Sequence, residues 1–176
     1  MAGFHSKTFT KHDDYMTPKY AWDNIKQYIP TDKVIWESFY GNGDSGNYLT
    51  EMGFKVIHKE VDFFTNDLGD IIVSNPPYSI SKKVMARMLE LDKPFILLMP
   101  SRKINTSYFR AWRKKNIQII IPRKRIHFVK LVDGKVPVNY KSCCNFDCFY
   151  YCYKMNLPND IIWLENKPKT IKIKRR

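Results

Sequence analysis

A chain of 176 residues has room for one domain with a sizeable core and is short for two. Its 30 lysines and arginines against 17 acids give a formal charge of +13, a field that attracts polyanions, with nucleic acid the first candidate. A hydrophobic share of 44% excludes a disordered basic tail, and no apolar run reaches the length that spans a bilayer.

The N-terminal "MAGFHSKTFTKHDD" lacks the apolar core of a signal peptide, so a soluble, intracellular, cytoplasmic protein is expected. A first helix is signalled by "TPKYAWDNIKQYI", with Thr17 as N-cap, Pro18 at the first helical position, Trp22, Ile25 and Ile29 on one side and Pro30 beyond. "VIWESF" reads as a strand. A glycine-rich turn follows, then a short helix through Tyr48, Leu49 and Met52 that Gly53 stops. "FKVIH" is a second strand. "DIIVS" is a third, apolar along most of its length, as expected when both faces are covered.

After two prolines, Ser79 or Ser81 caps a helix in which Ile80, Val84 and Met88, and Met85 and Leu89, recur at helical spacing. "FILLMP" is another buried strand, and Tyr108, Phe109 and Trp112 mark a further helix. "IQIII", "RIHFVKLV" and "FDCFYYCYKM" read as strands, the last two separated by a loop with Asp133 and Gly134. Strands alternating with helices in the first two thirds predict an α/β fold with a largely parallel sheet and helices on both faces. The whole chain reads as one domain, residues 1–176, ending in a basic tail over 165–176. Cys143, Cys144, Cys148 and Cys152 have neither Cys-x-x-Cys spacing nor a nearby histidine, so they read as small apolar residues in a reducing compartment, and no metal is expected. On a strand from Phe146 to Tyr153, Cys148 and Cys152 share a face with Phe146 and Tyr150.

Chemistry concentrates at two places. Gly41, Gly43 and Gly46 spell G-x-G-x-x-G between a strand and a helix, where glycines let the backbone approach a ligand and the helix N-terminus favours anionic groups. A nicotinamide dinucleotide reading wants an acid near the end of the second strand, and Glu60 is the candidate. Against it, Glu37 leaves the first strand well before the glycines, where an acid suits a ligand's ammonium group. The second place is Asn75-Pro76-Pro77-Tyr78. Each proline fixes φ and lacks an N–H, and the residue before a proline is held extended. The carbonyl of Pro76 therefore stands beside the amide of Asn75 with no regular ladder partner, at the edge of a parallel sheet where ligands bind. Two fixed acceptors suit an exocyclic amine of a nucleobase, whose delocalised lone pair makes it a poor nucleophile until both hydrogens are held. Tyr78 offers an aromatic surface for a base taken out of the stack.

These segments together resemble the class I S-adenosylmethionine-dependent adenine-N6 methyltransferases, especially compact DNA adenine methylases of phages and large DNA viruses. "TPKYAW", "ESFYGNG", "VDFF", "NPPY", "RKRIHF" and "NFDCFYYC" carry the likeness, from about Tyr15 to Trp163. It implies a Rossmann-like class I methyltransferase fold with an antiparallel C-terminal strand, and S-adenosyl-L-methionine as cofactor. Thr17 and Pro18 would border the methionine end of that cofactor, with Glu37, Phe39, Tyr40, Gly41 and Gly43 cradling it. Asp62 would accept from its adenine amine and Phe63 pack on that ring, while Asn75, Pro76, Pro77 and Tyr78 bind the target base, Asn75 also bordering the cofactor. Ser38 stands where the family has proline, and the compressed "VIHKEVDFF" leaves Glu60 as the ribose-binding acid. No room remains for a separate target-recognition domain. Specificity is then short and loose, or a partner or the second subunit of a homodimer supplies it.

Basic residues are grouped. Arg102, Lys103, Arg110, Arg113, Lys114 and Lys115 follow "FILLMP", and Arg123, Lys124, Arg125 and Lys130 follow "IQIII". Loops after parallel strands share the edge of the acceptor pair, so Arg102 and Lys103, with Arg123, Lys124 and Arg125, are the candidate phosphate contacts. The reading is methylation of adenine N6 in nucleic acid, DNA favoured over RNA. Its rivals are an RNA adenine or protein glutamine methyltransferase, a nicotinamide-dependent oxidoreductase and a non-catalytic nucleic-acid-binding module.

Overall fold

Short runs of β-branched and aromatic residues, bounded by glycine, proline or aspartate, bury both faces only when paired on both sides, and that requirement builds the sheet. The computed structural model describes residues 15–130 and 145–165. In chain order these form β1 (Tyr15–Met16), α1 (Lys19–Asp23), β2 (Val34–Trp36), α2 (Asp44–Glu51), β3 (Lys55–Ile57), β4 (Ile71–Ser74), α3 (Ser81–Leu91), β5 (Phe95–Pro100), β6 (Gln118–Ile121), β7 (Val129–Lys130), β8 (Cys148–Tyr153) and β9 (Ile161–Trp163), with 3₁₀ turns between them. Seven strands make one sheet in the order β3-β2-β4-β5-β8-β6-β9. Neighbours run parallel except β8, which is antiparallel to both β5 and β6. This is an open, Rossmann-like α/β sheet, mostly parallel, with helices on both faces and one reversed strand near its C-terminal end.

Side chains alternate across the sheet. On β5, Ile96 and Leu98 join Trp22, Ile25, Leu49, Tyr150 and Cys152 on one face, under α1 and α2. Phe95, Leu97 and Met99 join Val84, Met88, Trp112, Tyr151 and Tyr153 on the other, under α3 and the 3₁₀ turn Ser107–Lys114. Cys148 and Cys152 are buried free thiols on the face of Tyr150, as the strand pattern implied, and burial pushes the Cys152 thiol up. Among the described residues no helix is long and apolar enough to cross a membrane.

Several boundaries differ from the sequence expectation. Pro18 is the N-cap of α1, with ψ at 149°, and the helix ends at Asp23 before a 3₁₀ turn at Lys26–Tyr28. Thr17 therefore caps nothing; its hydroxyl is engaged elsewhere. A 3₁₀ turn, Tyr78–Ile80, precedes α3, whose first residue Ser81 donates its hydroxyl back to the carbonyl of Tyr78 at 2.8 Å. The helix expected around Trp112 is 3₁₀, because the segment needs only Phe109 and Trp112 seated in the core. Of "RIHFVKLV", Ile126 and Phe128 are buried in irregular backbone, and among its described residues only Val129–Lys130 is strand, paired with β1. Strand β9 escapes the sequence reading; it adds a short parallel edge beside β6. Cys143, Cys144, the Asp133-Gly134 loop and the basic tail after residue 165 lie outside the described residues.

Candidate active site at the strand switch

From β2 the chain runs out to β3 on one side and returns to β4 on the other. The carboxyl ends of β2 and β4 thus diverge, which opens a crevice where ligands bind in open α/β sheets. Gly41 and Gly43 take left-handed φ values of 57° and 93°, which only glycine adopts freely, and Gly43 forms the N-cap of α2. The cleft so formed is lined by Tyr15 to Thr17, by Phe39 to Asn42 with Ser45, and by Asn75 to Tyr78.

Asn75 is oriented from outside its own strand. Its Nδ2 donates to Thr17 Oγ1 at 3.0 Å, and its Oδ1 is buried with no hydrogen-bond partner. The β4–β5 pairing ends at Ser74, so Asn75 and the Pro76 carbonyl stand past the ladder. Tyr78 is half-buried, edge-on to Phe128 (6.2 Å between centroids) and Phe146 (5.6 Å). Its carbonyl accepts from Ser81 and from the ammonium of Lys103 at 3.0 Å.

Behind the glycine turn, Glu37 is only 1% exposed. Its Oε1 accepts from the Ser74 hydroxyl, and its Oε2 lies 3.2 Å from His58 Nε2. When His58 is protonated that contact is an ion pair. The His58 ring stacks on Tyr40 at 4.4 Å. A Cβ on Gly46 would fall 2.0 Å from His58 Nδ1, so the third glycine makes room for this ring. Burial disfavours the His58 imidazolium, but the Glu37 carboxylate and the backbone of Tyr40 outweigh it, and His58 titrates above the usual imidazole range.

Of the residues singled out in the sequence, Thr17, Phe39, Tyr40, Gly41, Asn75, Pro76, Pro77 and Tyr78 come together around the cleft. Pro18, Glu37 and Gly43 sit directly beside or behind its walls. Glu60, Asp62 and Phe63 do not line it. Glu60 is exposed, three residues past β3; register pairs Trp36 with Ile57, so Glu37 and His58 emerge side by side. Asp62 is exposed and accepts from the Phe64 amide at 2.8 Å, and Phe63 is fully buried against Trp36 and Phe39. His58 was missed; its signal was a polar residue one step past a strand, matching Glu37 one step past the neighbouring strand.

β5 is parallel to β4, and β6 runs with β5 because both oppose β8. The segments that follow them therefore leave on the edge of Asn75. Arg102, Arg123 and Lys124 are exposed there. Arg125 is paired with Asp147 (Nε to Oδ1, 2.9 Å), which holds that carboxyl below the usual carboxylate range. Among the described residues no group of three or more His, Cys, Asp or Glu forms a metal-ligand cluster.

No protein-family model matches this chain. No curated protein matches it either. One solved structure similar to it is described as a candidate class I S-adenosylmethionine-dependent methyltransferase from Listeria monocytogenes, at 13% identity and a TM-score of 0.44, covering 89% of this chain and 67% of that one.

Proposed function

We propose that this protein transfers a methyl group from S-adenosyl-L-methionine to the exocyclic N6 amine of adenine in nucleic acid, with DNA favoured over RNA. The observation that carries the reading is the Asn75 Oδ1: a buried acceptor with no partner, on an amide whose other end is tied to Thr17, at the lip of the switch-point cleft. A buried polar atom left unsatisfied is costly, and native structures keep such atoms where a ligand will satisfy them.

The residues fit the cofactor. Left-handed Gly41 and Gly43 bring bare backbone to the cleft, Thr17 and Phe39 to Gly41 wall it, and Glu37 supplies a carboxylate behind them. When bound, S-adenosylmethionine supplies an electrophilic methyl group on a sulfonium. The chain's own part is to prepare the amine. Asn75 Oδ1 takes one N–H and the Pro76 carbonyl the other, which withdraws the nitrogen lone pair from ring conjugation and stabilises the positive charge that develops on it. Thr17 keeps the carbonyl end of the Asn75 amide turned toward the base. The surplus proton leaves to solvent. Tyr78 receives the flipped base, and Arg102, Lys103, Arg123, Lys124 and Arg125 lie on the edge from which a phosphate backbone approaches.

Thermal unfolding with and without S-adenosylmethionine tests the enzyme reading against an inert nucleic-acid-binding module. A rise in Tm is expected with the cofactor. No shift at any concentration returns the chain to the module reading.

A further inference from the structure

The acid–base pair beneath the glycine turn has no role in the amine chemistry. Glu37 is buried, held on one oxygen by Ser74 and faced on the other by His58, and a carboxylate taken out of water needs a counter-charge. The pair is built to measure: register sets the two residues side by side, Gly46 of α2 leaves space for the imidazole and for no side chain of its own, and Tyr40 covers the ring. Tyr40 also lines the cleft, so the ring that covers His58 is itself part of the ligand's wall. The groups around His58 are Glu37 from the exit of β2, the Tyr40 ring from the glycine turn, Gly46 from α2 and Ser74 of β4 across Glu37. Lys59 and Glu60, next along its own chain, are exposed.

Building on the cofactor reading above, we propose that Glu37 serves one cation at a time: protonated His58 in the free protein, and the α-ammonium of an amino-acid-bearing nucleoside in the complex. Ligand entry then expels one proton from His58 Nε2 to solvent, because two cations cannot share one buried carboxylate without repulsion. His58 is on this account a positioning residue that makes ligand affinity depend on pH. Its raised titration places that dependence above the usual imidazole range.

Calorimetric titration of the full chain tests the exchange, using S-adenosylhomocysteine, which carries the ammonium, and 5′-methylthioadenosine, which lacks it. Each is measured across the His58 titration in two buffers of different ionisation enthalpy. Below that titration, S-adenosylhomocysteine should weaken by up to about tenfold per pH unit and release about one proton. Methylthioadenosine should show neither effect, and His58→Gln should remove the slope. Binding of S-adenosylhomocysteine without a slope, an equal slope with methylthioadenosine, or a slope that persists in His58→Gln overturns the exchange and leaves the methyltransferase reading standing. Failure of both nucleosides to bind at any pH overturns both. The wild-type slope and proton release decide the matter even where the variant fails to fold.

Discussion

The β5–β8 ladder and the carboxyl ends of β2, β3 and β4 belong to one sheet and are finished in opposite ways. All six residues of β5 are buried and paired with β8 from Phe95↔Tyr153 to Pro100↔Cys148, and the Tyr150 and Tyr151 hydroxyls reach backbone carbonyls. At the other place Trp36, Ser38 and Asn75 each keep a buried polar atom without a hydrogen-bond partner, and the buried Glu37 Oε2 has only the His58 imidazole to face it. The strands of the first region are fully paired and stabilise, though Trp112, packed on them, keeps a buried Nε1 without a partner. The second is left short of partners, and that shortage locates the chemistry.

Breaking the first region should cost stability and little else. Phe95 is fully buried against Trp112 and Tyr153. Phe95→Ala should lower unfolding free energy by about 3–5 kcal/mol in a denaturant titration, with cofactor affinity of the folded fraction unchanged. Asn75→Ala should do the reverse. Methyl transfer should fall by about a hundredfold or more, while stability drops by about 1 kcal/mol for the lost bond to Thr17. Equal loss of stability in both variants would erase the distinction between the regions.

Gly46→Ala sharpens it further. The new Cβ cannot coexist with the His58 ring, so the ring leaves Glu37, stability falls by about 1–3 kcal/mol, and the His58 titration observed by NMR drops toward the ordinary value. The pH dependence of stability has a definite sign. Because His58 titrates higher in the folded chain than unfolded, its contribution is complete below pH 6.5 and disappears as pH rises through the folded titration. Tm should therefore decline over that interval, and the decline should vanish in Glu37→Gln. The smallest effect belongs to the rim: Arg102→Ala should weaken nucleic-acid binding uniformly across sequences and reduce the slope of log affinity against log salt by about one.

What the sequence disclosed follows the same division. "FILLMP" and "DIIVS" were legible because strands buried on both faces are written as continuous apolar runs. Asn75 was legible because two prolines restrict its surroundings whatever the tertiary context. β1 with β7, each two residues long, were not, since only a long-range pairing makes them strands. Glu60 reads from the sequence as the ribose-binding acid, while the residue that meets Glu37, His58, is not singled out there. That meeting depends on how β2 and β3 align, and no single segment records it.

The most direct test of the central claim is incubation with methyl-labelled S-adenosylmethionine and unmethylated DNA or RNA, followed by nucleoside analysis, with Asn75→Ala in parallel. The account predicts label in N6-methyladenine, greater from DNA than from RNA and lost in the variant. Label in neither polymer from protein that binds the cofactor would contradict it.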